Sequence, residues 1–272
     1  MSFALTIEIE FQSDWGVGTG KGRGEVDRAI VKDGFGLPMV PAKTLTGRLR
    51  DACEEAAYSL DEGSESGTWN EWVRWLFGDQ RSDRRMDALR PWPASLSIRP
   101  ATLGRRLQMR AVHEPQLARA AVTVRPGVAI DHTTGIAMDD TLRMEERAIT
   151  GLKLVASCML AVPSLPREAR VLLVSGSALL DRIGGKRRRG AGRCKVQVKD
   201  DAGPLVIRAE DFEDPSSPIR PELLGWETAV HSGSAPLTTK RFAVTCLTPI
   251  SVSAGVKGNV VESLDFIPGY LL

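Results

Sequence analysis

Residues 3–11 read Phe-Ala-Leu-Thr-Ile-Glu-Ile-Glu-Phe, an unbroken alternation of apolar and polar side chains. A period of two puts Phe3, Leu5, Ile7, Ile9 and Phe11 on one face of a β-strand, and a slip of one residue would turn all five outward. This half-buried strand restricts the chain to architectures with a sheet covered on one side. From Thr44, a good N-cap, the apolar positions Leu45, Leu49, Cys53, Ala56 and Leu60 recur at helical spacing. Between them lie glycines at 16, 18, 20, 22 and 24, an apolar strand at 29–31, a turn at Asp33-Gly34 and the segment 37–41. The order is strand, glycine loop, strand, helix.

Further along, Trp72, Val73, Trp75, Leu76 and Phe77 form a short apolar helix closed by Gly78. Arginines broken by Pro91, Pro93 and Pro100 predict short strands and loops over 81–119. Residues 127–146 predict an extended arm with a Thr133-Thr134-Gly135 turn. Strands are expected at 152–162, 170–174 and 195–198, with a short helix at 175–182.

Composition sets bounds. With 272 residues, 42% of them apolar, the chain has enough material for one large core or two smaller ones. A formal charge of +2 makes any polyanion surface local. No apolar run reaches the ~18 residues of a membrane span, and the first residues lack a signal-peptide layout, so the expectation is a cytoplasmic protein without a membrane partner. Cys53, Cys158, Cys194 and Cys246 form no CxxC pair and read as small buried hydrophobes.

The strongest functional clue is the run from Ile183 to Val196, in which Gly184, Gly185, Gly190 and Gly192 frame Lys186, Arg187, Arg188, Arg189 and Arg193. Glycines permit close backbone approach, and grouped cations neutralise several phosphates at once, so the ligand suggested is a nucleic-acid backbone. The alternative is a solvated basic loop. Residues 16–24 fail as a phosphate loop, because Gly20-Lys21 comes one residue early and Gly22 replaces the metal-binding hydroxyl. GxGxxG and the aromatic RNP1 pattern are absent too, which argues against a dinucleotide site and against base stacking on a sheet.

The opening of the chain recurs near its end. Residues 242–247 predict a strand, Gly255 and Gly258 punctuate a loop, and Leu264-Asp265-Phe266-Ile267-Pro268 parallels Leu37-Pro38-Met39-Val40-Pro41. The expected organisation is a module over 1–208, a proline-rich linker over 209–240, and the start of a second, incomplete module over 241–272.

Three features in order resemble the RAMP superfamily of CRISPR-associated proteins. They are residues 24–33 running into 37–50, with Lys43, Arg48 and Arg50 at the helix start; Leu76-Phe77-Gly78 followed by 128–137 and Glu145; and the loop 184–193. Ala42 departs from the glycine usual in the family. The resemblance implies an α+β, ferredoxin-like (RRM-like) module with glycine-rich loops and an inserted arm. It implies a subunit of a type III antiviral effector, with guide RNA, target RNA and other effector subunits as partners. Asp27 would then be the catalytic residue for endonucleolytic cleavage of target RNA, holding a divalent metal such as Mg²⁺ or orienting the ribose 2′-hydroxyl. RNA contacts would come from Lys43, Arg48, Arg50, His132 and the loop residues Gly184, Gly185, Lys186, Arg187, Arg188, Arg189, Gly190, Gly192 and Arg193. Two alternatives stay open: an architectural or capping subunit in which Asp27 is a turn residue paired with Arg23 or Arg28, and a guide-processing nuclease using His132 as a base.

Overall fold

The computed structural model describes residues 2–22, 24–78, 93–219, 253–257 and 260–263. The chain divides into two units, Met1–Glu222 and Leu223–Leu272. In chain order, the first unit contains β1 (Phe3–Phe11), α1 (Ala42–Leu60), α2 (Thr68–Phe77), β2 (Leu96–Ile98) and β3 (Thr102–Leu103). Next come α3 (Arg105–His113), α4 (Pro115–Ala120), β4 (Val122–Gly127), β5 (Arg143–Ala148) and β6 (Lys153–Leu160). It ends with α5 (Arg167–Leu179), β7 (Cys194–Asp200) and β8 (Gly203–Pro204).

β1 is the centre of an antiparallel sheet ordered β2-β6-β1-β7-β8, with β3 also on β6. The alternation read from the sequence sets the register. Leu5, Ile7 and Ile9 stand opposite Cys158, Ala156 and Leu154 of β6, and Ile7 and Phe11 stand opposite Val198 and Cys194 of β7. All these residues are buried, whereas on the other face Glu8 and Glu10 pair with Lys199 and Lys153 at 2.6 and 3.2 Å. The path β1-α1-β2/β3-β6-α5-β7 with α1 and α5 packed together is the ferredoxin-like arrangement in an α+β fold.

α1 buries Leu45, Leu49, Ala52, Cys53, Ala56 and Ala57, a stripe at helical spacing. Its N-cap is Pro41, not Thr44, and the Leu45 N–H bonds the Pro41 carbonyl at 3.0 Å. Proline loses nothing there, because a first-turn N–H has no intrahelical acceptor anyway. The segment 170–174, expected as a strand, lies in α5. Its neighbours complete a helical face, since Ala169, Val171, Leu172, Leu173 and Gly176 are buried together, and a short apolar run cannot by itself distinguish the two states. Residues 105–120 are helical where loops were expected, with Pro115 at the start of α4, where its missing N–H costs little; residues 81–92 lie outside the described residues. Residues 29–31 form bridges to the glycine loop, such as Gly18 with Ile30, instead of a regular strand.

Residues 209–219, within the span expected from composition to be a linker, are part of the first unit. The buried Glu168 carboxylate accepts the Ser216 hydroxyl at 2.8 Å and its N–H at 3.2 Å, and Trp72 Nε1 donates to the Ser216 carbonyl at 2.7 Å. The second unit shows an antiparallel hairpin of β9 (Ser253–Lys257) and β10 (Val260–Ser263). Gly255 falls inside β9 instead of a loop. The expected strand at 242–247, Gly258, Cys246 and residues 264–272 lie outside the described residues. Cys53, Cys158 and Cys194 are buried, and burial pushes the thiols of Cys158 and Cys194 up to about 12, so they act as inert hydrophobes. Among the described residues, no helix is long and apolar enough to cross a membrane.

Candidate nucleic-acid interface

The cationic loop joins α5 to β7, and its backbone is pinned on three sides. Ile183 N–H bonds the Gly192 carbonyl at 2.9 Å, Gly192 N–H bonds the Asp14 carbonyl at 2.9 Å, and Gly185 N–H bonds the Gly16 carbonyl at 3.0 Å. Ser13 adds a side-chain clasp, donating to the Gly190 carbonyl at 3.0 Å and accepting from Arg193 N–H at 2.9 Å. Two glycines are sterically required. A Cβ on Gly192, at φ +76°, would fall 2.1 Å from the Ile183 carbonyl oxygen, and one on Gly184, at φ +105°, would fall 2.5 Å from the Gly16 carbonyl oxygen. Gly184 thus lets the cationic loop touch the Gly16 backbone, and Gly192 lets the loop close on its own start at Ile183.

On this fixed backbone the five cations divide into two kinds. Lys186 takes a left-handed conformation, and its ammonium meets both carboxylate oxygens of Glu145 on β5. Arg187–Arg189 form one 3-10 turn, and all three side chains are exposed and, among the described residues, without an ion-pair partner, as is Arg193. Arg182 braces the turn from beneath, donating to the Arg187 carbonyl at 2.6 Å. The loop therefore offers a run of free guanidiniums held at fixed spacing, which suits a phosphate backbone.

Asp27 lies beside this loop through β5. Asp27 N–H bonds the Met144 carbonyl at 2.9 Å, Met144 N–H bonds Asp27 Oδ2 at 2.7 Å, and Arg28 bridges in parallel to Glu145. The Asp27 side chain is exposed, with Oδ2 committed to the backbone and, among the described residues, no hydrogen-bond partner at Oδ1. Arg28 pairs with Glu145 at 3.7 Å rather than with Asp27, and Arg23 lies outside the described residues. Arg147 approaches the same Glu145 carboxylate at 3.6 Å. Glu145 is only 6% exposed. Burial pushes its carboxyl up, but the hydrogen bond and charge of Lys186, with the charges of Arg28 and Arg147, outweigh that and hold it below its ordinary value. Glu146, on the opposite face of β5, ties down the next segment by accepting Ile30 N–H at 3.0 Å and the Lys32 ammonium at 2.5 Å.

Among the described residues, no group of three or more His, Cys, Asp or Glu side chains is placed to hold a metal. The protein ligand available to a Mg²⁺ at this place is Asp27 Oδ1. That fits a cation that keeps most of its waters and takes its other anionic ligands from substrate phosphates.

Among the described residues, the remaining expected contacts make no hydrogen bond or ion pair to this assembly. Lys43 is exposed in the first turn of α1 and has no ion-pair partner among the described residues. Arg48 pairs with Asp51 at 2.9 Å, and Arg50 pairs with Glu54 at 2.7 Å and donates to the Gly78 carbonyl at 3.0 Å, which ties α1 to the end of α2. His132 is exposed on the arm turn, where Asp131 Oδ1 accepts the N–H groups of Thr133 and Thr134 at 2.7 and 3.0 Å. Those backbone bonds hold the Asp131 carboxyl below its ordinary value. Nothing bonds His132 to Asp27 or to the loop. Glu145, Asp14, Ser13 and Arg147 complete the site; the family resemblance includes Glu145 but assigns it no role, and no local pattern marks the other three, because these contacts come from β5 and the 12–16 segment meeting across long sequence separations.

A cavity of about 130 Å³ lies between the two glycine loops, lined by Trp15, Gly16, Arg28, Glu145, Gly185 and Lys186 among others. A larger groove of about 380 Å³ carries both signs of charge, with Glu8, Glu10, Asp181, Lys153 and Lys195 in its lining, and so lacks the one-signed field of a polyanion track.

Comparison with known proteins bears on the same residues. The family model described as RAMP superfamily matches residues 8–195, a span that includes the end of β1 from Glu8, Asp27, Glu145 and the whole cationic loop. No curated protein matches the chain. Among solved structures, the chain is similar to one in the apo state of type III-B Cmr-beta, with a TM-score of 0.54, 11% identity, and coverage of 73% of this chain and 98% of that one. It is likewise similar to a chain of type III-B Cmr-beta bound to cognate target RNA, with a TM-score of 0.53, 11% identity, and coverage of 72% and 97%.

Proposed function

The chain belongs to the RAMP superfamily, and from that membership we propose that it is a subunit of a type III RNA-guided effector complex. In this reading it holds guide RNA by the phosphate backbone and contributes to metal-dependent cleavage of complementary target RNA in antiviral defence. The observation that carries the reading is the display of unpaired Arg187–Arg189 on a pinned loop beside the Asp27 segment. The likeness to subunits of a Cmr-beta complex bound to target RNA supports it. The partners are guide RNA, target RNA and neighbouring effector subunits, and the work is cytoplasmic.

Asp27 would hold the cation through Oδ1 while Met144 N–H fixes Oδ2, so the carboxylate enters the reaction already oriented. A bound Mg²⁺ supplies charge neutralisation at the scissile phosphate. The bond to Met144 also favours a second reading, in which Asp27 is a purely structural member of the strand pairing and the subunit is architectural. In the assembled complex, Asp27→Ala separates them. The catalytic reading expects target cleavage lost with guide affinity within about twofold of wild type. Cleavage at the wild-type rate, or none by the wild type, leaves the architectural reading. RNA binding itself is tested by replacing Arg187, Arg188 and Arg189 with alanine. For single-stranded RNA, each lost phosphate contact should flatten the log K against log salt slope by about 0.7, and an unchanged slope rejects the loop as the contact surface.

A further inference from the structure

Glu145 receives three cations from three separate places: Lys186 from the loop, Arg28 from the Asp27 segment, and Arg147 from its own strand two residues on. Its carboxylate is almost wholly buried, while Arg28 is largely exposed. An ion pair at this depth is costly to break, because removing one partner leaves the other charge desolvated and unmatched. Lys186 is also one of three non-glycine residues with positive φ among the described residues. Such a conformation persists only where surrounding contacts over-determine it. The contacts here are Gly185 N–H on Gly16 behind it and the Glu145 carboxylate at the end of its side chain.

We propose that Glu145 is a positioning residue for the RNA-binding surface: by drawing Lys186 inward and Arg28 alongside, it fixes the free Arg187–Arg189 turn relative to Asp27. This rests on the reading of the loop as a phosphate-contact surface. It divides the basic block by role. Arg187, Arg188 and Arg189 face phosphate, and Lys186 is the tether whose charge Glu145 neutralises. Glu145 touches no RNA and acts through the two segments it joins.

The full chain is tested with Glu145→Gln, Lys186→Met and the double variant, using a single-stranded RNA titrated across salt concentrations. A phosphate contact and a tether leave different signatures. Each single variant is expected to weaken binding about tenfold with the salt slope unchanged, and the double variant to be no weaker than Glu145→Gln, because that single change already removes the Lys186–Glu145 pair. Hydrogen exchange should quicken together over 24–28 and 184–193 in Glu145→Gln, while β1 and α1 stay protected. A slope flattened by Lys186→Met would make Lys186 a phosphate contact and overturn the assignment. Additive losses in the double variant, or exchange that rises over 184–193 alone, would overturn it as well. If Glu145→Gln fails to fold, Lys186→Met carries the test, since it leaves Glu145 paired with Arg28 and Arg147. If the wild type binds no RNA, the function proposed above fails, and coupled exchange of the two segments still decides whether Glu145 joins them.

Discussion

The cationic loop and the β4–β5 arm are both polar projections of one sheet-and-helix body, yet they are built in opposite ways. The loop fixes its backbone and frees its charges: carbonyls and N–H groups from 12–16 and 183 hold it, while Arg187, Arg188 and Arg189 reach solvent. The arm's tip, beyond the paired strands, fixes little and exposes apolar groups. Between Gly127 and Arg143 it is held by its own Asp131 turn, the Ile130–Ala137 bridge and Thr141, and Val128, Ile130, Ile136, Met138 and Leu142 are exposed. A surface that must present charge at set spacing needs a rigid base, because cations on a mobile segment lose their spacing and pay ordering entropy on binding. A two-stranded ribbon needs only a turn and cross-strand bonds, and its stability is marginal apart from what it packs against.

The contrast is broken most readily at Gly192. Gly192→Ala places a Cβ against the Ile183 carbonyl at a φ that alanine disfavours, and should cost about 2–4 kcal/mol by chemical denaturation. Gly135→Ala, at φ +69° on the arm turn with nothing within 4 Å of its Cβ, should cost only the conformational part, about 1 kcal/mol. Equal costs would mean that the loop is no more rigidly built than the arm.

A smaller effect sharpens the electrostatic side. Glu145 and Glu168 both have carboxyls held below their ordinary value. Burial opposes this in each, and it is outweighed by Lys186, Arg28 and Arg147 at Glu145 and by backbone N–H groups, Ser216 and Arg167 at Glu168. A depressed folded-state pKa gives stability that is fully present above the unfolded value, about 4.3 for glutamate, and is lost as pH falls through the lower folded value. Wild type should therefore lose stability on acidification below about pH 4.3, and Glu168→Gln should show a shallower loss in equilibrium unfolding across that range. An identical acid limb in the variant would remove Glu168 from the account.

The smallest effect belongs to the arm. Ile130→Ser together with Ile136→Ser should change global stability by less than about 0.5 kcal/mol, because both side chains already meet water. The same pair of changes at Ile7 and Leu49, buried against the helices, should cost several kcal/mol, about 2–5 for each large-to-small change. A thermal melt of the arm variant shifted as far as a core variant would show the ribbon to be packed in solution.

How much could be read beforehand differs by element, and for a physical reason in each case. β1, the α1 stripe, α2 with its Gly78 stop and the arm turn were legible, because burial on one face imposes a period and glycine marks the stop. The 170–174 run reads as a strand from sequence and is helical in the fold, because four consecutive apolar residues satisfy either period. Its helical state comes from Glu168, Ala169 and Gly176 facing α1 and the 209–219 segment. The basic block was legible as a cationic loop but not as two kinds of cation, since nothing local distinguishes Lys186 from Arg187.

By itself, then, the sequence determined the sheet face, the helical stripe along α1 and the presence of a glycine-framed cationic loop, all of which follow from spacing within ten or twenty residues. Only the tertiary structure decided which cations are free, where the Asp27 carboxylate is held and that Glu145 joins the two segments. Those outcomes depend on a lysine and a glutamate 41 residues apart, and a backbone N–H and a carboxylate 117 residues apart, being brought within hydrogen-bond distance. Electrostatic pairing acts over a few ångströms of space, and separation along the chain carries no signal of it.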